Sequence, residues 1–205
     1  MKPERRPGDD VARVWAALDQ YGVLLVHDVE LPSVSQIVAG ESVPGSWWSH
    51  PAGKRIFGAL EALDDRGVVV VPLYRKKQTL VAARLVPALV AACGACEPWQ
   101  RAALDRAGTA LLGEIESAGQ LRADALAAER RPLGKKLATA LVCASRQEHT
   151  ERGAHATVLE SWTHLSARTG HAPLATAALG RRALEDAVAT WAGGDARLLP
   201  WRPTR

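Results

Sequence analysis

Apolar residues in the first half of the chain alternate between helical spacing and short continuous runs. Val11, Val14 and Leu18 share one face of a predicted helix that ends at Gly22. The pattern then predicts a strand at 23–29, a weak helix at 32–40 and a clear helix from residue 51 to about residue 64. Strands at 68–73 and 78–82 flank a polar turn, and a short helix is predicted at 84–92. Helix, short helix, helix and hairpin is the order of a winged helix-turn-helix.

The second half of the chain has a similar order of elements. Its pattern predicts helices at 99–118, 121–129 and 132–141, strands at 142–145 and 156–159, and a last helix at 174–191. The segment 93–98 is the best candidate boundary. The sequence therefore predicts an α+β, mostly helical protein with tandem winged helix-turn-helix modules at 1–95 and 96–205, the second including a C-terminal helix.

A short motif occurs once in each half. Residues 51–55 have the sequence Pro-Ala-Gly-Lys-Arg, and residues 132–136, 81 positions later, have the sequence Pro-Leu-Gly-Lys-Lys. Each copy precedes an apolar helix, two strands and a polar turn, which favours a tandem repeat. Accessible N–H groups at a helix start attract anions, and the adjacent cations could hold a phosphate. Ordinary surface cations at a solvated helix start are the alternative interpretation.

The positive charges form local groups. The chain has 26 Lys+Arg against 22 Asp+Glu, a net charge of +4, and a pI near 9.2, which permits a polyanionic partner. Arg75, Lys76 and Lys77 form the turn of the first hairpin, where a winged helix would contact the DNA backbone. Arg130 and Arg131 add to the cations of the second motif. Cations on a hairpin also prevent aggregation through strand edges, so this second interpretation stays open.

Two neighbouring tryptophans, Trp47 and Trp48, precede the proposed recognition helix at residue 51. Neighbouring side chains cannot both point inward, so we expect one indole to be exposed and able to stack on a base. Alternatively, one ring fills the core and the other covers a loop. His50 either joins this surface or caps the helix.

The polar stretch 146–155 contains the only catalytic candidates, His149, Glu151 and His155. A carboxylate between two histidines could position a water, although a plain wing loop needs no chemistry. The spacing does not fit a zinc motif, and the three cysteines do not form a ligand set or a disulfide framework. We therefore expect no metal and no cofactor.

No apolar run approaches the roughly 20 residues that span a bilayer, and the first ten residues contain no apolar segment. These features exclude a membrane span and a signal peptide, and they predict a cytoplasmic protein.

Four segments of the sequence are distinctive. They are Trp47-Trp48-Ser49-His50-Pro51-x-Gly, Thr79-Leu80-Val81, residues 84–89, and residues 149–162, which begin His-Thr-Glu. These motifs resemble a family of bacterial proteins of about this length, which are uncharacterised relatives of the AlkZ-type winged-helix DNA glycosylases, and the resemblance extends over most of the chain. The resemblance implies tandem winged helices that bind DNA. The Gln-x-Gln or Gln-x-Asp catalytic motif of those glycosylases is absent here, which puts base excision in doubt.

The leading hypothesis is therefore a protein that binds double-stranded DNA, with a role in repair. One alternative is a DNA glycosylase that excises a damaged or crosslinked base, with the catalytic candidates near the reacting water. Another is a module for protein assembly. The predicted DNA contacts are Trp47, Trp48, His50, Lys54, Arg55, Arg75, Lys76, Lys77, Arg130, Arg131, Lys135 and Lys136.

Overall fold

The first half of the chain forms three helices and a small sheet. The computed structural model describes residues 7–64, 66–149 and 155–202. A one-turn 3-10 helix, Trp47–Ser49, precedes the third helix. The elements in chain order are α1 (Pro7–Tyr21), β1 (Val23–Leu25), α2 (Val34–Ala39), α3 (Gly53–Asp64), β2 (Val69–Tyr74) and β3 (Lys77–Val81).

The rest of the chain adds six helices and a second sheet within the described ranges. Single 3-10 turns lie at Ala83–Leu85, Ala123–Ala125, Ala128–Arg130 and Ala196–Leu198. The elements are α4 (Val86–Gly94), α5 (Pro98–Arg101), α6 (Arg106–Ala118), β4 (Gln120–Arg122), α7 (Arg131–Thr139), β5 (Ala144–His149), β6 (His155–Glu160), α8 (Trp162–Thr169) and α9 (Ala177–Ala189).

Both sheets are antiparallel and have three strands with the same topology. The first has the order β1-β3-β2, and the second has the order β4-β6-β5. In each sheet the last strand is central, so a hairpin pairs with a strand that is earlier in the chain. Val23 lies opposite Val81 in the first sheet, and Gln120 lies opposite Glu160 in the second. The α+β prediction is confirmed.

Two apolar clusters account for most of the packing in the first half. Val14 and Leu18 of α1 pack against Ile56 and Leu63 of α3 in one of them. In the other, the opposite face of the first sheet packs against α4, α8 and α9. The indole N–H of Trp191, just after α9, donates to the carbonyl oxygen of Val23 at 3.1 Å. The C-terminal helix therefore completes a core that begins in the N-terminal half.

Helices α4 and α9 approach closely because Gly180 has no side chain at their contact. A Cβ at this position would lie 2.4 Å from the carbonyl oxygen of Ala88. The predicted boundary between residues 95 and 96 falls between α4 and α5, next to this shared core. The division into modules at 1–95 and 96–205 stays a prediction.

Three predictions for the second half were wrong in the number or kind of elements, and β5 also continues beyond the strand predicted at 142–145, to residue 149. The helix predicted at 99–118 is two helices, because Asp105 accepts from the N–H of Gly108 and caps a new helix there. The helix predicted at 121–129 is instead β4 followed by 3-10 turns, with Leu121 opposite Leu159. Helix α8 was not predicted at all. Among the described residues, no helix combines the length and apolar character that crossing a membrane requires.

Candidate nucleic-acid interface

A groove of about 810 Å³ lies between the β2–β3 turn, α7 and the C-terminal segment 197–202. We call it the basic groove. Leu73, Trp99, Pro132 and Leu199 are among its apolar lining residues. Six cationic residues also line it: Arg75, Lys76, Lys135, Lys136, Arg197 and Arg202.

The turn that carries Arg75 and Lys76 has a fixed shape. Both residues have left-handed backbone conformations, with φ of 52° and 57°, as a two-residue turn in a hairpin requires. The backbone N–H of Arg75 donates to the carbonyl oxygen of Leu198 at 3.3 Å, and its guanidinium lies 5.5 Å from the ring centroid of Tyr74. The C-terminal segment therefore holds the turn in place.

Tyr74 connects this turn to the rest of the C-terminal segment. It is fully buried, its hydroxyl accepts from the backbone N–H of Asp195 at 3.2 Å, and its ring lies edge-on to Trp191 at 5.1 Å. These contacts bring Arg197 into the same groove as Arg75. Neither Arg197 nor Arg202 was a predicted site residue, because no local pattern shows where the segment folds back.

Helix α7 contributes Lys135 and Lys136 from its exposed side. Leu137 and Ala138, which follow directly, are buried. Lys136 Nζ lies 2.8 Å from Asp105 Oδ2, whereas Lys135 has no ion pair within the described ranges. The repeat motif of the second half therefore lies at this groove, as the DNA-binding prediction requires.

Three of the six groove cations are neutralised by carboxylates. Lys136 pairs with Asp105, Arg197 with Asp195 at 2.9 Å, and Arg202 with Glu185 at 2.6 Å. Hydrogen bonds from Lys136 to Asp105 and from Arg197 to Asp195 hold the pKa of each carboxyl below its usual value. Burial opposes ionisation of Glu185, but hydrogen bonds from Arg202 and Trp201 outweigh burial, so its pKa is also lowered. These three carboxylates therefore stay charged at neutral pH.

The other three groove cations, Arg75, Lys76 and Lys135, are exposed and have no salt bridge in the part of the chain that the structure describes. Asp195 lies near enough to Arg75 for the arginine to lower the pKa of that carboxyl slightly further. The uncompensated charge of the groove is thus concentrated on the turn and on Lys135.

Five of the predicted cations do not line the basic groove. Lys54 and Arg55, in the first repeat motif, are described below, and the other three have partners within the protein. Lys77 Nζ lies 2.6 Å from Asp28 Oδ2, and Arg130 pairs with Glu114 at 2.7 Å. Arg131 donates to the backbone carbonyl oxygens of Leu126 and Asp124. These side chains hold neighbouring loops in place, so their charges have internal partners.

The Lys77–Asp28 pair predicts a pH dependence of stability. Burial opposes ionisation of Asp28, but hydrogen bonds from Lys77 and from the N–H groups of Glu30 and Leu31 lower its pKa to about 2. A lowered pKa means that this stabilisation is present above about pH 4 and is lost as the pH falls towards 2. We expect Asp28→Asn to lower the free energy of unfolding by about 1 to 2 kcal/mol at pH 7 and by much less at pH 2.5.

Urea denaturation of both proteins at several pH values measures this difference. Asp124→Asn is the matched control, because Asp124 is exposed and also pairs with an arginine, Arg122. Its effect should be much smaller than that of Asp28→Asn at pH 7, because a salt bridge between exposed groups contributes little to stability. An Asp28→Asn effect that is equal at pH 7 and pH 2.5 would contradict the assignment.

The first copy of the repeat motif, at 51–55, lies away from the basic groove. Arg55 is half-buried and donates from Nε and Nη2 to both carboxylate oxygens of Asp10, at 2.7 and 2.8 Å. Its Nη2 also donates to the carbonyl oxygen of Val38 at 3.0 Å. Arg55 thus ties α3 to α1 and α2. Lys54 is exposed at the start of α3 and lines neither this groove nor the cleft described next.

Trp47 and Trp48 line a second cavity of about 900 Å³, which we call the aromatic cleft. Phe57 and Leu60 of α3 extend this wall, and Ser145, Arg146 and Gln147 of β5 form part of the opposite wall. Trp48 is 63% exposed, whereas Trp47 is partly buried against the core of the first half. The prediction that one indole is exposed is therefore confirmed. His50 Nδ1 accepts from the N–H of Ala52 at 3.2 Å and so caps the start of α3.

A buried carboxylate is among the residues that line the aromatic cleft. Glu160 accepts from Nε and Nη2 of Arg168 at 2.8 and 2.9 Å and lies 2.8 Å from His164 Nδ1. Burial opposes its ionisation, but these hydrogen bonds outweigh burial and keep its pKa below the usual value. This cluster could not be predicted from local patterns, because Glu160 lies at the end of β6 and its two partners lie on α8, which was not predicted.

Only two of the three catalytic candidates, His149 and His155, have a described backbone. His149 and His155 are paired across β5 and β6 through their backbones. Glu151, and the side chains of both histidines, lie outside the described residues. Among the residues that are described, no group of three or more His, Cys, Asp or Glu side chains could hold a metal ion.

Burial keeps two of the cysteines protonated. It raises the pKa of Cys143 to about 12 and raises that of Cys93 further.

The sequence and the fold were compared with known proteins. No family model matches the chain, and no curated protein or solved structure matches it either.

Proposed function

We propose that this protein binds double-stranded DNA through the basic groove. The observation that carries the proposal is the convergence of cations from three distant parts of the chain. Arg75 and Lys76 come from the first hairpin, Lys135 from α7, and Arg197 from the C-terminal segment. Six cations line this groove, and the three that have no carboxylate partner among the described residues leave a net positive charge that is suited to binding phosphates.

The topology supports a winged-helix origin for this surface. Each half has a helix, a strand, a helix that precedes a hairpin, and a sheet in which the first and third strands pair. In the second half, 3-10 turns replace the short helix that α2 provides in the first. We therefore propose that both halves are winged-helix modules, with the first wing and the second recognition helix, α7, sharing one groove.

The rigidity of the wing turn favours binding as well. The contacts of Arg75 with Leu198 and Tyr74 fix the turn before any ligand arrives. A preorganised cation loses less conformational entropy on binding than a free one. Phosphate contacts of this type position a protein on DNA without reading its sequence, so weak sequence preference is expected.

The salt dependence of DNA binding tests this proposal. Three uncompensated cations predict a slope of log Kobs against log salt of about −3, and all six predict about −5. Fluorescence anisotropy with a labelled 25-base-pair duplex, over a range of salt concentrations, measures the slope. A slope between these limits supports the groove. No binding at low salt, or a slope shallower than about −1, contradicts it.

Base excision and protein assembly stay predictions from the sequence. The side chains that would carry out excision, Glu151 and its neighbours, lie outside the described residues. The described side chains therefore provide no argument for excision. A role in repair follows only from the resemblance, and comparing intact with alkylated duplexes in the same anisotropy assay tests it.

A further inference from the structure

The aromatic cleft has the size and composition of a site for a small molecule. Its volume of about 900 Å³ falls within the range of about 300–1,000 Å³ for such sites. Apolar residues from several elements, α3 and the first sheet among them, form most of its lining, and β5, β6 and α8 add a few polar groups. No residue of this cleft lines the basic groove.

The aromatic wall offers a surface for stacking. The rings of Trp47 and Trp48 are stacked, with centroids 4.1 Å apart and planes 24° apart, and Phe57 lies 5.4 Å from Trp48. Trp48 is nonetheless 63% exposed. The part of the Trp48 ring that Trp47 and Phe57 leave exposed can gain buried area when a planar ring packs on it.

The opposite wall contains a hydrogen-bond donor without an acceptor. Arg146 donates from Nη1 to Glu148 and from Nη2 to Gln120, both at 3.1 Å. Its Nε is hidden from water and has no partner in the described part of the chain. A hidden donor without an acceptor is unfavourable, so a small shift of this side chain towards an acceptor in the cleft would be stabilising.

The charges of the cleft do not favour an ionic ligand. Two guanidinium groups, of Arg146 and Arg168, and two carboxylates, of Glu61 and Glu160, are among its lining residues. Glu160 is already bound by Arg168 through two hydrogen bonds. A ligand with a net charge would lose its hydration without gaining a matching excess of opposite charge.

We propose that the aromatic cleft binds an uncharged, planar heteroaromatic compound. Its ring packs on the exposed surface of Trp48, and a ring nitrogen or carbonyl oxygen accepts from Nε of Arg146. Gln147 of the same strand also lines the cleft, but its amide nitrogen already donates to Thr157 Oγ1 at 3.0 Å. This inference does not depend on DNA binding, because its residues and those of the basic groove are different.

The test uses 2-quinolone, which has a carbonyl acceptor, and naphthalene, which has the same ring size and no acceptor. Both are titrated into ¹⁵N-labelled protein, and the indole N–H resonance of Trp48 is followed by NMR after assignment with Trp48→Phe. We expect saturable shifts with 2-quinolone and binding of naphthalene that is about tenfold weaker.

Two variants test the two walls separately. Trp48→Ala should weaken both compounds at least about fivefold. Arg146→Lys keeps the charge but removes the Nε donor, so it should weaken 2-quinolone about tenfold and leave naphthalene unchanged. Arg182→Lys, at a residue whose side chain is 81% exposed on α9, is the matched control. Circular dichroism confirms that each variant is folded.

Three results would overturn the proposal. The first is the absence of saturable binding by either compound. The second is equal binding of 2-quinolone and naphthalene with no effect of Arg146→Lys. The third is a shift of the Trp48 resonance with duplex DNA but with neither compound, which would assign the cleft to nucleic acid. Loss of DNA binding in the anisotropy assay leaves this proposal intact.

Discussion

Replacing Arg75, Lys76 and Lys135 together with alanine is expected to weaken binding to duplex DNA roughly 100-fold at physiological salt. The three side chains are the groove cations that have no carboxylate partner among the described residues. Each phosphate contact releases close to one counterion, which contributes about 1 kcal/mol at this salt concentration. The slope of log Kobs against log salt should become shallower by about 2.7.

A second triple variant separates local contacts from net charge. Lys54→Ala, Arg66→Ala and Arg182→Ala remove the same charge at exposed positions outside the groove. This control should change the affinity by less than about threefold. Anisotropy with the same duplex compares the two proteins. If they lose affinity equally, binding depends on total charge, and the basic groove is not the site.

The three groove cations that pair with carboxylates should contribute less to DNA binding than the three that have no such partner. Lys136, Arg197 and Arg202 reach phosphate only if their carboxylate partners are displaced or are repelled by the bound strand. Their single alanine variants should therefore weaken DNA binding by about threefold or less, below the effect expected for Lys135→Ala. Lys135 and Lys136 are adjacent on α7, so a larger loss of affinity for Lys135→Ala than for Lys136→Ala would reflect the carboxylate partner of Lys136 and not a difference in location.

The local parts of this interface could be predicted from the sequence. The turn at Arg75 and Lys76 lies between two apolar runs, and Lys135 lies three residues after a proline that starts a helix. These short-range patterns are enough to predict where the three cations lie in the secondary structure and that they are exposed. The groove itself could not be predicted. It requires the C-terminal segment to return to Tyr74, whose hydroxyl accepts from Asp195, 121 positions away. No local pattern contains a contact at that separation.

The sequence also could not show which of the predicted cations have partners within the protein. Arg55, Lys77 and Arg131 resemble surface cations in sequence, because long side chains can reach either solvent or a distant acceptor. Which of the two occurs depends on where Asp10, Asp28 and the carbonyl oxygen of Leu126 lie after folding. The repeat motif therefore has different roles in the two halves. Its second copy faces the groove, and the arginine of its first copy stabilises the helix cluster.

This structural role of Arg55 leads to a prediction about stability. Asp10 is 1% exposed and accepts hydrogen bonds from Arg13 and Arg55. Asp10→Ala would leave the half-buried guanidinium of Arg55 without its carboxylate. We expect the free energy of unfolding to fall by about 3 kcal/mol, the lower end of the range for a broken buried ion pair, because Arg55 is partly exposed. Urea denaturation measures this loss.

A double-mutant cycle shows whether the loss belongs to the pair. Arg55→Met leaves Asp10 with Arg13 as its partner, so we expect a smaller loss of about 2 kcal/mol. The double variant should be more stable than the sum of the single losses predicts, by at least about 1 kcal/mol. Additive losses would mean that Asp10 and Arg55 act independently.

The same Arg55→Met variant decides between the two roles of this residue. Under conditions where it stays folded, its affinity for duplex DNA should remain within about threefold of the wild type, because Arg55 does not line the basic groove. An affinity as low as that of Lys135→Ala, with an unchanged free energy of unfolding, would instead return Arg55 to the DNA-binding surface. The first repeat motif would then bind DNA on a face separate from the groove, and the two halves would hold the duplex at two sites.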